Sequence, residues 1–137
     1  LEWLDHLTRY IEKSLKENKN LVVLGDFNIA PDDRDIYDPE VWKDKVLCSK
    51  QERGALEKLF ALGLVDSFRL FEQQDASYSW WDYRAAAYRR KMGLRIDLIL
   101  LSTPLAKHCA SSTIDESPRS WEKPSDHTPV IVEIDID

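Results

Sequence analysis

The chain has 137 residues, a length that fits one domain, and a hydrophobic fraction of 43%, enough for a core. A formal net charge of -6 excludes a molecule that binds nucleic acid through its overall charge. Two cysteines, Cys48 and Cys109, exclude a disulfide framework and a zinc-finger spacing, so a reducing, cytoplasmic compartment is expected. No run is apolar and long enough to cross a membrane and no signal-peptide pattern is present, so no membrane partner is expected. No methionine opens the chain, and it begins inside a helical pattern; the expectation is a gene that starts upstream of Leu1.

Leu4, Leu7, Ile11 and Leu15 have helical spacing, with Trp3 and Tyr10 flanking that face. Asn18-Lys19-Asn20 ends the helix. The apolar run Leu21–Leu24 then predicts a buried strand, and Phe27 to Pro39, rich in Pro and Asp, predicts an irregular surface loop. Ser49 and Glu52 form a capping box that opens a helix with Ala55, Leu56, Leu59 and Phe60 inward. Gly63 sits at its natural stop. Strands are predicted for Arg95–Leu101, His108–Ile114 and Val130–Ile136. Leu21–Leu24 and Arg95–Leu101 are apolar on both faces, the mark of strands covered on both sides. The two good helices can cover one face, which points to a missing layer.

Three constellations carry chemistry. Asp26 and Asn28 follow the first strand two residues apart, so in extended chain they face one point beyond the sheet, where open α/β folds place ligands. A carboxylate can hold a divalent cation or take a proton, and an amide can orient a phosphate oxygen; an Asx turn is the bland alternative. Ser125-Asp126-His127 precedes the last strand, where a histidine held in one tautomer by a carboxylate can act on a phosphate; a turn with a surface histidine competes. Asp97 is a lone acid in an apolar strand and needs a partner. His127 is the natural one if the last strand lies alongside, and a structural pair with Arg95 or Arg84 is the alternative. His6 and His108 carry no constellation.

Ser79-Trp80-Trp81-Asp82-Tyr83-Arg84 places three aromatics in six residues. The segment Arg84–Arg95 then carries Arg84, Arg89, Arg90, Lys91 and Arg95 and no acid. Aromatics beside cations are the usual equipment for gripping a nucleic-acid backbone, so Trp80, Tyr83, Arg84, Arg89, Arg90 and Arg95 are candidate DNA contacts. A core aromatic cluster is the alternative. Neighbours in extended chain face opposite ways, so Trp80 is expected on the ligand side and Trp81 inward.

Gly25-Asp26-Phe27-Asn28, the aromatic hexapeptide, Gly93-Leu94-Arg95-Ile96-Asp97-Leu98 and Glu122-Lys123-Pro124-Ser125-Asp126-His127 stand in the order found in the exonuclease III family of the endonuclease/exonuclease/phosphatase superfamily. The resemblance covers essentially the whole chain, residues 1–137, but matches only the C-terminal half of a family member. It implies an α/β fold, one βα half of a four-layer α/β/β/α sandwich of the DNase I-like type. It also implies a DNA-repair hydrolase using Mg2+ or Mn2+, cutting double-stranded DNA at abasic sites and from 3′ ends. In that resemblance Asp26 activates water and Asn28 steadies the phosphate. Asp97 and His127 form the pair at the scissile phosphate, and Asp26, Asn28, Asp126 and His127 form the metal set. Trp80, Leu94 and Ile96 line the pocket for a base-less sugar. A family N-terminal half supplies a glutamate, an asparagine and a tyrosine that have no counterpart here, so this chain alone is expected to be inactive and to self-associate as a homodimer through its uncovered face. The alternatives are a phosphoinositide or other phosphoesterase of the same superfamily, and a non-catalytic DNA-binding fragment.

Overall fold

The computed structural model of the protein describes residues 2–136. Helix α1 (Glu2–Glu17) is followed by strand β1 (Val22–Asp26), helices α2 (Pro39–Trp42) and α3 (Lys50–Ala61) and strand β2 (Leu64–Asp66). Strands β3 (Trp80–Trp81), β4 (Gly93–Leu94) and β5 (Asp97–Ser102) come next, then helix α4 (Thr103–Ala106) and strands β6 (Cys109–Ile114) and β7 (Val130–Ile134). No described helix is long and apolar enough to cross a membrane.

The expected helices form for the expected reasons. The apolar stripe of α1 buries Leu4 and Ile11. In α3 the Ser49 hydroxyl accepts from the Glu52 N–H at 3.1 Å, and the Glu52 carboxylate accepts from the Ser49 N–H at 3.2 Å. Leu56 and Leu59 are buried, and Gly63 follows with φ +104, a conformation open to glycine. These helices pack on one face of a three-stranded antiparallel sheet of order β1-β5-β2, burying Leu98 and Leu100 of the central strand.

Strand ends differ from the sequence reading. β1 continues through Gly25 and Asp26, because these residues pair with Leu98 and Asp97. β5 begins at Asp97 rather than Arg95. Leu94 belongs to the separate β3–β4 ribbon, and Arg95 turns inward between the two strands. β7 does not lie beside β5 in the sheet. It pairs with β6, and this pair packs across the second face of β5 over Ile99 and Leu101 and against Leu105 of α4. The layer expected to be wholly missing is therefore half present. Cross-strand partners share a face, and Val22 and Leu24 stand opposite Leu101 and Ile99. Leu101 and Ile99 are buried, whereas Val22 is 38% and Leu24 66% exposed. The uncovered part is the β1 edge.

The segment from Phe27 to Pro39 is not a surface loop. Phe27, Ile29, Ala30 and Ile36 are buried, and Asp35 is fully enclosed. Its Pro and Asp residues mark turns, as at the capped 3-10 turn Asp33–Asp35, while the apolar residues between them reach the core.

Candidate active site

The site is set by strand register. Antiparallel pairing of β1 with β5 puts Asp26 directly opposite Asp97 at one end of the sheet. His127 arrives from a different part of the chain. An isolated bridge joins His127 to Trp80, the Trp81 N–H donates to the Asp126 carbonyl at 3.0 Å, and the Thr128 N–H donates to the Ser79 carbonyl at 2.9 Å. The short β3 strand thus fixes the Asp126-His127-Thr128 segment against the sheet end. His127 Nδ1 lies 2.8 Å from Asp97 Oδ2, and His127 Nε2 lies 3.7 Å from Asp26 Oδ2. A carboxylate accepts, so Nδ1 carries a proton in the bond to Asp97, and Nε2 is turned toward Asp26.

Burial pushes the Asp97 carboxyl above the ordinary carboxylate range; hydrogen bonds from His127 and Ser79 oppose the rise, and the nearby Asp26 charge adds to it. The ligand atoms of Asp26, Asp97 and His127 all lie within 4.8 Å of one another. Asp97 is committed to His127. Asp26 uses one oxygen to accept the Asn28 N–H at 2.9 Å, and a carboxylate has about four lone-pair sites. Asp26 Oδ2 with His127 Nε2 is therefore the donor pair left open, and a carboxylate oxygen with one imidazole nitrogen fits a divalent cation.

The structure brings Asp26, Asp97 and His127 together and sets other candidates apart. Asn28 has φ +54, so the extended conformation ends at this residue. What it supplies there is a backbone N–H, the Asx turn. Asp126 is adjacent but outside the three-residue cluster, and its carboxylate accepts from the Trp80 indole at 3.1 Å. Trp81 is buried and Trp80 half-buried, in the expected alternation. Leu94 and Ile96 are a correction. Both are sealed in a core cluster with Ala30, Ile36 and Cys48, under Trp80 and Trp42, and do not line an open wall.

Arg95 is the larger correction. It is 1% exposed, and its guanidinium is held by Asp35 at 2.7 Å and Asp66 at 2.5 Å, so it cannot meet a DNA backbone. It does not pair with Asp97 either. Arg84 pairs with its neighbour Asp82 at 2.8 Å on the surface. Tyr83, Arg89 and Arg90 are exposed, and the Tyr83 hydroxyl donates to the Pro124 carbonyl at 2.8 Å.

Two further residues near the site are given no role of their own in the sequence analysis. Arg119, a lone arginine in a turn, is buried and carries no local signal. It donates to the Ser125 carbonyl at 2.7 Å and lies 4.6 Å from the Tyr88 ring centroid, clamping the His127 segment to the aromatic one. Ser79 is the other. The alternation that turns Trp81 inward also turns Ser79 inward, and that alternation is the signal that could have found it.

Two opposed carboxylates, a histidine hydrogen-bonded to one of them and an adjoining tryptophan meet at one end of the α/β scaffold. The model of the endonuclease/exonuclease/phosphatase family matches residues 1–127. The chain is 38% identical over 134 residues to an exodeoxyribonuclease III of Haemophilus influenzae, covering 93% of this chain and 50% of that protein. Its structure is similar to that of the 3′ phosphatase NExo from Neisseria bound to product DNA hairpin, with TM-score 0.95 and 44% identity over 98% of this chain and 52% of that one. It is also similar to an AP endonuclease from Archaeoglobus fulgidus, with TM-score 0.90 and 35% identity over 98% of this chain and 53% of the other. The chain belongs to the endonuclease/exonuclease/phosphatase family. It spans about half the length of the relatives it matches.

Proposed function

We propose that these residues form the C-terminal half of an exonuclease III-like DNA-repair nuclease. The complete enzyme hydrolyses phosphodiesters of double-stranded DNA, at abasic sites and from 3′ ends. The observation that carries this reading is the Asp26-Asp97-His127 cluster beside Trp80. His127, oriented by Asp97, can donate Nε2–H to a phosphoryl oxygen and stabilise its developing charge when the ring is doubly protonated, and can offer Nε2 to a cation when the ring is neutral. Asp26 is the free carboxylate placed to take a proton from the attacking water. Asp26 and His127, with Asp126 close by, are the residues that would hold Mg2+ or Mn2+, which when bound supplies positive charge to the phosphate. Asn28 orients Asp26 through its N–H. Tyr83, Arg84, Arg89 and Arg90 lie on the exposed surface where a DNA backbone can be gripped.

An abasic duplex with Mg2+, offered to this chain extended to the length of its relatives, is expected to be cut. Hydrolysis of a soluble phosphoinositide with no cut at the abasic site would instead assign the site to phosphoinositides. Trp80→Ala should lower the preference for abasic over intact DNA about tenfold, within the ~1–3 kcal/mol of an aromatic contact to a nucleotide. The readout is the ratio of cleavage rates on the two duplexes, and an unchanged ratio would remove Trp80 from recognition.

The 137-residue chain alone is expected to self-associate and to show little nuclease activity. Val22 and Leu24 lie exposed on the sheet face they share with Leu101 and Ile99, and an exposed apolar face of this kind associates with another copy. A two-fold dimer is the simplest closed outcome. Sedimentation should show a dimer that Leu24→Glu returns to monomer. A monomer at all concentrations, or robust cutting by the chain alone, would overturn this expectation.

A further inference from the structure

One small side chain sits where three segments meet. Ser79 is fully buried, and its hydroxyl oxygen accepts from the Ile96 N–H and the Asp97 N–H, each at 3.1 Å. Its own N–H donates to the Leu94 carbonyl at 3.0 Å, and its carbonyl accepts from the Thr128 N–H at 2.9 Å. Ile96 and Asp97 lie at the junction where the chain leaves β4 and enters β5. Thr128 directly follows His127. One residue therefore fixes Asp97 through its side chain and the neighbour of His127 through its backbone.

We propose that Ser79 is a positioning residue that sets the Asp97–His127 pair in register. This rests on the reading of that pair as acting on the phosphate. The pair stands at 2.8 Å, and a reacting group held to within about 0.5 Å needs neighbours that are themselves locked. The hydroxyl lets two consecutive N–H groups turn inward at the β4–β5 junction without losing an acceptor. An alanine there would leave two buried donors unpaired. The local backbone would then shift to satisfy them, and Asp97 is the residue that moves.

The test has two arms. In the 137-residue chain, the His127 Nδ1 proton should give a downfield, slowly exchanging NMR resonance. Ser79→Ala should erase it or speed its exchange at least about tenfold, a shift on the scale of one lost hydrogen bond. Ser79→Thr, which keeps the oxygen, should retain it. Ser67→Ala breaks another buried hydroxyl contact, to Ser112 at 3.1 Å, and should retain it too, which separates positioning from general loss of stability. If Ser79→Ala does not fold, Ser79→Cys, with a poor acceptor of similar size, takes its place. In a chain of the relatives' length, Ser79→Ala should lower kcat roughly 10- to 100-fold with KM little changed, as expected for a displacement of about 1 Å. Ser79→Thr should restore it. A retained resonance in Ser79→Ala overturns the proposal, and so does an unchanged kcat in Ser79→Ala where His127→Ala lowers turnover. If His127→Ala leaves turnover intact while Ser79→Ala still erases the resonance, the reading of the reaction fails and the positioning role stands.

Discussion

Arg95→Met is expected to destabilise the fold by about 3–5 kcal/mol, the cost of stranding the partners of a buried ion pair. The Arg95 side chain is 2% exposed and that of Asp35 is not exposed at all. Nε meets Asp35 at 2.7 Å, while the Nη groups meet Asp66 at 3.1 and 2.5 Å. The guanidinium also lies 4.8 Å from the Phe68 ring centroid. Asp35 keeps Arg69 after the substitution, at 2.5 Å, but Asp66 loses its ion-pair partner. A domain is stable by only about 5–15 kcal/mol, so much of the margin goes. Arg95→Lys should lie between, because an ammonium cannot fork to two carboxylates. Arg89→Met, at an exposed site, should stay within about 0.5 kcal/mol. Urea midpoints of the three variants check the order. If Arg95→Met kept the wild-type midpoint and only weakened DNA binding, the surface reading of Arg95 would be restored.

Arg95 shows what limits inference from sequence. It stands at the end of a basic run, and composition there reads as a solvated DNA-facing stripe. Its acidic partners lie 60 and 29 residues away, and nothing local marks them. The segment from Phe27 to Pro39 misleads for a related reason. Turn residues announce irregular backbone, but irregular backbone can still be packed, and Ile29 and Ile36 are anchors in the core. At Asn28 the sequence does not decide between extended chain and turn, and the positive φ of the turn brings the backbone N–H onto the Asp26 carboxylate. By contrast, Asp97 is legible through its cost. A carboxylate in an apolar strand needs a partner, and His127 is the partner found. The route differs from the expected one, since β7 packs on a face and His127 is delivered through the bridge to Trp80. The capping box of α3 and the alternation of Trp80 and Trp81 are legible because both depend on residues within a few positions.

Asp26→Asn, in a chain of the relatives' length, is expected to lower turnover about 10²- to 10⁴-fold, the span general acid–base catalysis contributes. DNA affinity should fall little, or rise. The two effects separate because they come from different places. Binding energy comes from cations spread over the surface, which Asp26 does not touch. Removing a negative charge that faces a phosphate relieves repulsion, so the ground state is not penalised. The carboxamide introduced by this substitution would keep the shape and could still accept the Asn28 N–H that now reaches Asp26 at 2.9 Å. It cannot take a proton from water and is a weaker cation ligand, so with Mg2+ kept saturating the loss falls chiefly on the transition state. The opposite placement of Asp26 and Asp97 adds a second signature. Burial chiefly holds Asp97 high and the Asp26 charge adds a small part, so neutralising Asp26 should lower the Asp97 carboxyl slightly, measurable by carboxyl carbon NMR in the 137-residue chain. Single-turnover rates and equilibrium DNA binding, measured on the same protein, decide the main point. A variant that loses affinity while keeping its single-turnover rate would show Asp26 to be a binding residue and remove it from the chemical step.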